Sequence, residues 1–443
     1  VLSSAHLVAN VNHNKVTVEP EPTSGLKRNS VWMLSGQGVS TLFQAGYFIL
    51  IGRALGSHQY GEFVGAASLV SVMSQFSSLG MDSIIIRDVG RDRTKFSSSW
   101  GLALELSALG FLLVATVAIT LGHFILSPEV RLLLPFIALS DALFARLSLL
   151  TSKAFQAVDN FAYTARLMSL SNLARALVAG LLYLHVLQTH QLSTAYTWTR
   201  IYCISSFAAA LVGIALVNKK LGMPTWMQPT WKIVSEGVSF SLASSSISIY
   251  NDIDKTYLVS LGESSAAGIY SAAYRIVDVA STPIYGVYSA AFSRFFSEGA
   301  KSTLHASRFS LRLLKRTVLY SVAAAILMFF SAPLLPYVLG KSFASSTGAL
   351  RWLCLLPLIR CFHYAAGATI TGSVSQWYRT TQQIAAAVLN LGLNALLIPR
   401  FSWQGAAAAS LMTDGTLAGM NWICVAWLIA RQSRAQSQGR VST

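Results

Sequence analysis

The chain has 443 residues, of which 53% are hydrophobic and only 11% charged, where a soluble domain carries about 25% charged residues. With a mean hydropathy of +0.52, that composition excludes an ordinary soluble enzyme or binding module. The excess of 33 Lys/Arg over 17 Asp/Glu then reads as a membrane signal, because membrane proteins retain basic residues in cytoplasmic loops; no basic run is interleaved with exposed aromatics as nucleic-acid binding would require.

In chain order, residues 1–28 come first. They are polar, with Pro20 and Pro22 in an acidic patch and no apolar stretch of the signal-peptide kind, so a disordered cytoplasmic tail is expected. About 20 apolar residues cross a bilayer as a helix. On that basis twelve spans follow, near 30–53, 60–84, 98–122, 130–152, 162–186, 195–217, 234–260, 265–290, 311–333, 346–371, 376–398 and 405–430. Six fall in residues 29–218, a short linker takes 219–231, six more fall in 232–430, and 431–443 form a second tail. With the N-terminus placed in the cytoplasm, that side holds 22 Lys/Arg and the opposite side 7, with 4 left inside spans. Both termini are therefore expected in the cytoplasm.

The four leftover cations are Arg146, Arg175, Arg275 and Arg360, each well inside an apolar run. An arginine at the centre of a membrane helix costs roughly 2.5–3.5 kcal/mol even on the lenient insertion scale, so these side chains must face polar partners, water or an anion. Polar residues recur at steps of three and four, which places each set on one helix face. Span 1 carries Gln37, Thr41 and Gln44. Span 2 carries Ser68, Ser71, Gln75, Ser78 and Asp82. Span 7 carries Ser241, Ser244, Ser248, Asp252 and Lys255, and span 8 Ser271, Arg275, Asp278, Thr282, Tyr285 and Ser289. Spans 10 to 12 add Arg360 with His363 and Tyr364, then Gln383 with Asn390 and Asn394, then Ser410, Asp414 and Asn421. Serines alone would suit helix–helix contacts; ionisable groups on the same faces point to a water-filled path or substrate site.

Arg275 and Asp278 are three apart, as are Asp252 and Lys255, so each pair suits either a tie within one helix or a place in a site. Arg175 has Asn172 but no acid within one turn. Arg146 has no acid at i−3 or i−4, and Asp141, five back, falls well round an α-helix. Arg175 and Arg146 are thus the cations freer to hold an anionic ligand, for which a planar guanidinium fork is suited. His363 titrates in a range that would suit a proton-coupled step.

The chain also repeats. Residues 55–68, LGSHQYGEFVGAAS, parallel residues 261–273, LGESSAAGIYSAA: Leu-Gly, a short polar stretch, then Gly-x-[Phe/Tyr] opening a small-residue helix. The first joins spans 1 and 2, the second spans 7 and 8. Two halves of six spans, entering the membrane from the same side, form the parallel-repeat type of transporter. No catalytic or nucleotide-binding motif stands in a usable context, the loops are short, and the four cysteines (Cys203, Cys354, Cys361 and Cys424) form no CxxC pair. An enzyme, a cofactor, a metal site and a disulfide framework are therefore not expected.

Several of these elements resemble one family. GRALGSHQYGEF (52–63) is similar to the GRxLGxxxYGxF element after span 1 of bacterial polysaccharide flippases, the Wzx-type branch of the MOP exporter superfamily. NDIDKTYLVSLGESSAAGIYSAAYRI (251–276) resembles their D-K…LG…GxYxxAxR element, LGKSF (339–343) their LxGxxF turn, and NLGLNALLIPRFSWQGAAAAS (390–410) their LN…LIPxxxxxGAAxA element. The resemblance implies an all-α membrane fold of two six-helix lobes around a central cavity. It implies flipping of undecaprenyl-diphosphate-linked oligosaccharide across the inner membrane by alternating access, for lipopolysaccharide O-antigen or a related surface polysaccharide. A polysaccharide polymerase and chain-length machinery are possible partners, and the family's Asp-Lys falls on Asp254 and Lys255.

The expected cavity set is thus Arg146, Arg175, Arg275, Arg360, Gln37, Gln44, Gln75, Lys255, Asn390 and Asn394. Asp82, Asp252, Asp254, Asp278, His363 and Asp414 are candidates for ion or proton coupling. The alternatives are a cation-coupled multidrug exporter of the same superfamily, which would favour acidic and aromatic walls, and a non-transporting scaffold of a polysaccharide assembly complex.

Overall fold

The computed structural model describes residues 23–373 and 377–441, and among these the chain is helical with no strand. Eight helical stretches are long and apolar enough to cross a membrane. Two of them hold two spans each. Thr23–Ser74 breaks at Gly56 (φ 71°, ψ 173°) into spans 1 and 2, and Trp377–Val441 breaks at Ser402 (φ 54°) into spans 11 and 12. The other six are Phe96–Ile125 (span 3), 128–157 (span 4), Phe161–Thr189 (span 5), Ala195–Lys220 (span 6), Thr303–Ser331 (span 9) and 346–373 (span 10). Trp231–Ser260 and Ser264–Ala290, spans 7 and 8, are as long but too polar to qualify. Their stripes of Ser, Asp, Lys and Arg are the reason, and residues of both helices line the central cavities.

The structure moves several expected boundaries. The first helix starts at Thr23, inside the expected tail, whose residues 1–22 lie outside the described residues. The last runs on to Val441 through a stretch of Arg, Gln and Ala, all good helix formers. Span 2 ends at Ser74, and a turn with left-handed Leu79 and Gly80 follows. Gln75 and Ser78 therefore sit in that turn, and Asp82 belongs to the separate amphipathic helix Met81–Arg91 rather than to span 2. The second lobe has a counterpart after span 8, the amphipathic helix Phe292–Lys301.

The repeat glycines have matching jobs. Gly56 and Gly262 both take positive φ, 71° and 80°, a conformation that costs a side-chain-bearing residue energy. Gly61 and Gly268 are where the lobes touch. A Cβ on Gly61 would lie 1.7 Å from the Ser264 carbonyl oxygen, and one on Gly268 2.0 Å from that of Ser57. The contact is reciprocal, as a pseudo-twofold between spans 2 and 8 demands. It is reinforced by Arg53, which donates to the Tyr337 and Val338 carbonyls at 2.6 Å. The Ser57 amide also donates to Ser342 Oγ at 3.2 Å, inside the LGKSF turn. At this end, the Gly56 face, the two lobes are sealed together by backbone packing.

Candidate anion site at the lobe junction

Two cavities meet below that seal. The first, of about 440 Å³, lies between spans 1, 8 and 9. Gln37, Thr41, Gln44, Tyr47, Arg275 and Asp278 give it polar groups, and Ile49, Leu334, Val338 and Leu339 apolar ones. The second, of about 310 Å³, is more polar and includes Ser68, Ser71, Asp141, Tyr202, Asp252 and Lys255. Arg275 and Asp278 line both. Of the four buried-span arginines, Arg275 alone lines either cavity.

The other three are accounted for by protein partners. Arg175 lies 3.5 Å from Asp141, donates to Ser206 Oγ at 3.3 Å and stacks its guanidinium 4.4 Å from the Tyr202 ring centroid. Tyr202 in turn donates to Asp141 at 2.6 Å. The expectation that Arg175 is free of acids is thus corrected. It looked along one helix, and the acid comes from span 4. Residues 138–144 of that span form a π-helical turn, a wider coil often found at functional sites. With more than four residues per turn, a residue five positions on returns to nearly the same face. Asp141 therefore acts on Arg146 too, contrary to the α-helical reading that set it aside. Arg146 donates to Ser74 Oγ at 3.0 Å, with Asp82 also within electrostatic reach.

Arg360 is the most completely satisfied. It meets Asp414 at 3.2 Å, Asp278 at 3.0 Å and Asn251 at 3.2 Å, and also donates to the Tyr274 hydroxyl. Asp278 thus pairs across helices with Arg360 and, of the two roles its spacing from Arg275 left open, does not form the tie within its own helix. The expected Asp252–Lys255 contact is present at 2.7 Å, and Lys255 also lies 3.7 Å from Asp254. Asp254 itself is buried behind the cavity wall, accepting from Tyr270 at 2.5 Å. His363 stands 3.8 Å from Asp414. Asn390 and Asn394 are 0% and 1% exposed and bond each other and Thr413. They tie spans 11 and 12 together and do not line either cavity, because the shared face of span 11 points at span 12. Gln75 donates to Ser248 at 3.3 Å across the lobes.

What remains is Arg275. It is exposed to the cavities, its surroundings are Tyr47, Tyr60, Asp278 and Asp252, and among the described residues it makes no ion pair within 4 Å. The tyrosines were not singled out by the sequence reading; only Gly-x-[Phe/Tyr] in the repeat hinted at an aromatic seam. Phe63, Trp198 and Tyr202 continue it, with ring centroids 5.4 to 6.0 Å apart.

The fold is that of solved MOP-superfamily transporters. The chain is similar to the inward-facing conformation of a multidrug resistance MATE family transporter of the MOP superfamily, at 16% identity and TM-score 0.65 over 95% of this chain and 97% of that one. It is similar to an outward-facing conformation at 16% identity and TM-score 0.61, over 94% and 97%. A MOP superfamily transporter from Pyrococcus furiosus, described as having a binding pocket of reverse polarity, matches at 16% and TM-score 0.60 over 93% and 96%. No curated protein sequence matches the chain significantly. The model of the polysaccharide biosynthesis protein family matches residues 26–298, more than half of the sequence, and the chain belongs to that family. It is a multi-pass membrane protein with a transporter fold.

Proposed function

We propose that the protein flips an undecaprenyl-diphosphate-linked oligosaccharide across the bacterial inner membrane, with both termini in the cytoplasm, for surface polysaccharide biosynthesis. The observation that carries this is Arg275: a cation without an ion pair among the described residues, facing two cavities, one mostly apolar and one mostly polar. A guanidinium in a low-dielectric cavity binds phosphate strongly and in a defined geometry. The apolar wall of Leu334, Val338 and Leu339 beside it suits the polyprenyl chain, and Gln37, Thr41 and Gln44 offer hydrogen bonds to sugars. The membership in a polysaccharide biosynthesis family supports the same substrate class.

The lobes would rock about the cavities, opening the seal at Gly61 and Gly268 on the periplasmic side. Of the acids, Asp414 with His363 and Asp278 hold Arg360, so their protonation or cation binding is the natural route for coupling. Asp252 and Asp254 hold Lys255 in the same way, and Asp82 borders Arg146. The test is export of surface polysaccharide at normal protein level in the producing strain. Arg275→Ala should abolish it and Arg275→Lys, which keeps the charge without the fork, should restore part. Normal export by Arg275→Ala would sink the reading.

The multidrug alternative keeps one observation in its favour. With Arg175 and Arg360 paired to acids, the cavities hold a half-exposed Asp278 and several tyrosines, which would suit an organic cation. Drug susceptibility of a deletion strain separates the two: a flippase leaves it unchanged while removing the polysaccharide.

A further inference from the structure

We infer that the second lobe contains a separate sugar-binding alcove, built on Tyr285, Tyr364 and Arg379. It rests on the reading that a phosphate occupies Arg275, and it assigns the other end of the same substrate. The alcove is a cavity of about 280 Å³ formed by spans 8, 10 and 11, lined by Tyr285, Tyr288, Ser289, Phe292, Tyr364 and Arg379. Tyr285 and Tyr364 stand edge to face, 5.9 Å apart at 66°, and Tyr364 rests 4.3 Å from His363. The Tyr288 hydroxyl is engaged elsewhere, 3.1 Å from Thr317 Oγ1, so its ring is what it gives the alcove. Among the described residues Arg379 makes a long bond, 3.4 Å, to Thr371 Oγ1 and no ion pair.

The chemistry of this lining selects a ligand class. Aromatic faces carry partial negative charge and attract the C–H edges of a pyranose ring, while its hydroxyls, or a carboxylate, meet the guanidinium and the tyrosine and serine hydroxyls. An acyl or prenyl chain would leave those polar groups unpaired, which is costly. An organic cation would be repelled by Arg379.

The position fits as well. Arg275, Asp278, Thr282, Tyr285 and Ser289 follow one another at steps of three and four along span 8, on one face. The first three line the junction cavities and the last two line the alcove. Ten residues separate Arg275 from Tyr285, about 15 Å of helix. That is a span a diphosphate and a few sugar units bridge when the phosphate lies at Arg275. Pro283 lies within this stretch and cannot donate a backbone hydrogen bond, so the helix between the two subsites is locally weakened.

The experiment compares two lipids on the purified full-length protein, by native mass spectrometry: undecaprenyl phosphate, and the lipid-linked glycan extracted from the producing cells. Tyr285 is 58% exposed, so Tyr285→Leu should fold normally; Arg379→Gln is the second variant. Each should weaken the glycan-bearing lipid about tenfold, the effect of one lost stacking or charged contact, and leave undecaprenyl phosphate binding unchanged. A variant that merely misfolds would lose both lipids. The proposal is overturned if both variants bind the glycan-bearing lipid like wild type while Arg275→Ala loses both lipids. If Arg275→Ala loses neither lipid but the alcove variants lose the glycan, the alcove stands and the phosphate site falls.

Discussion

The two lobes solve the same electrostatic problem with different balances of charge. Inside the first lobe Arg146 and Arg175 share Asp141, and Arg146 leans on a serine hydroxyl for its direct bond. Inside the second, Arg360 has two carboxylates and Lys255 has two more. Cations and near acids balance in the first interior, where Asp82 and Asp141 act on Arg146 and Arg175, and acids outnumber cations in the second. On the proposed function, coupling cations or protons would act in the second lobe, and the substrate anion would sit at its border, where Arg275 reaches out of that acid-rich lobe toward Tyr47 and Tyr60 of the first. The lesson is that a buried arginine marks a substrate site only when its neighbours leave it unmatched.

The largest expected effect tests that contrast directly. Arg360→Ala strands Asp414, which is 2% exposed. Removing one partner of a buried pair costs about 3–5 kcal/mol, so folded yield and thermal stability in detergent should fall sharply. Adding Asp414→Asn should recover part of the loss. Arg175→Ala leaves Asp141 with Tyr202 and Ser140 and should cost less, about 1–3 kcal/mol. Equal losses would erase the distinction between the lobes.

Next comes the seal that joins them. Gly61→Leu and Gly268→Leu should act alike, because each inserts a side chain against the other lobe's backbone, and overpacking costs about 1–3 kcal/mol. A cysteine pair at Ser57 and Ser342 reports it: disulfide yield should drop in both variants. A drop in only one would show that the reciprocal contact is not a working pseudo-twofold.

These tests also mark where the sequence was legible. The repeat glycines could be read in advance, since a turn glycine and a close-approach glycine recur with their neighbours. So could the polar stripes of spans 1, 7 and 8, because helical spacing survives in any α-helix. Asp141 could not, because a π-turn changes the period on which the reading depends. Nor could the pairing of Asp278 with Arg360, since steps of three and four see one helix at a time and this pair crosses two. Asn390 and Asn394 share a face as expected, but periodicity does not say which neighbour a face meets. Tyr285 and Tyr364 also stood on their stripes, but spacing along single helices could not show that they meet Arg379 of a third helix in one alcove.

Smaller effects separate stability from binding. Arg275→Ala should cost about 1 kcal/mol of stability, the net worth of a hydrogen bond such as the one it makes with Tyr60, while it removes anion binding. A large loss of stability would mean that Tyr47 and Tyr60 need the guanidinium as a structural partner, and its freedom from the protein would be illusory.

The smallest effect expected is the most informative about how the lobes divide their charge. Asp278 is the one acid that lines both junction cavities and also holds Arg360, and its side chain is 47% exposed. Asp278→Asn should leave the fold intact, because Asp414 still pairs with Arg360. It removes a negative charge three residues from Arg275. The affinity for undecaprenyl phosphate should therefore rise, on the order of fivefold, from the roughly 1 kcal/mol that a partly exposed neighbouring charge contributes. A fall in affinity would give Asp278 another role: through Arg360 it would hold span 8 where Arg275 faces the cavity, and the acid surplus of the second lobe would serve geometry before it served charge.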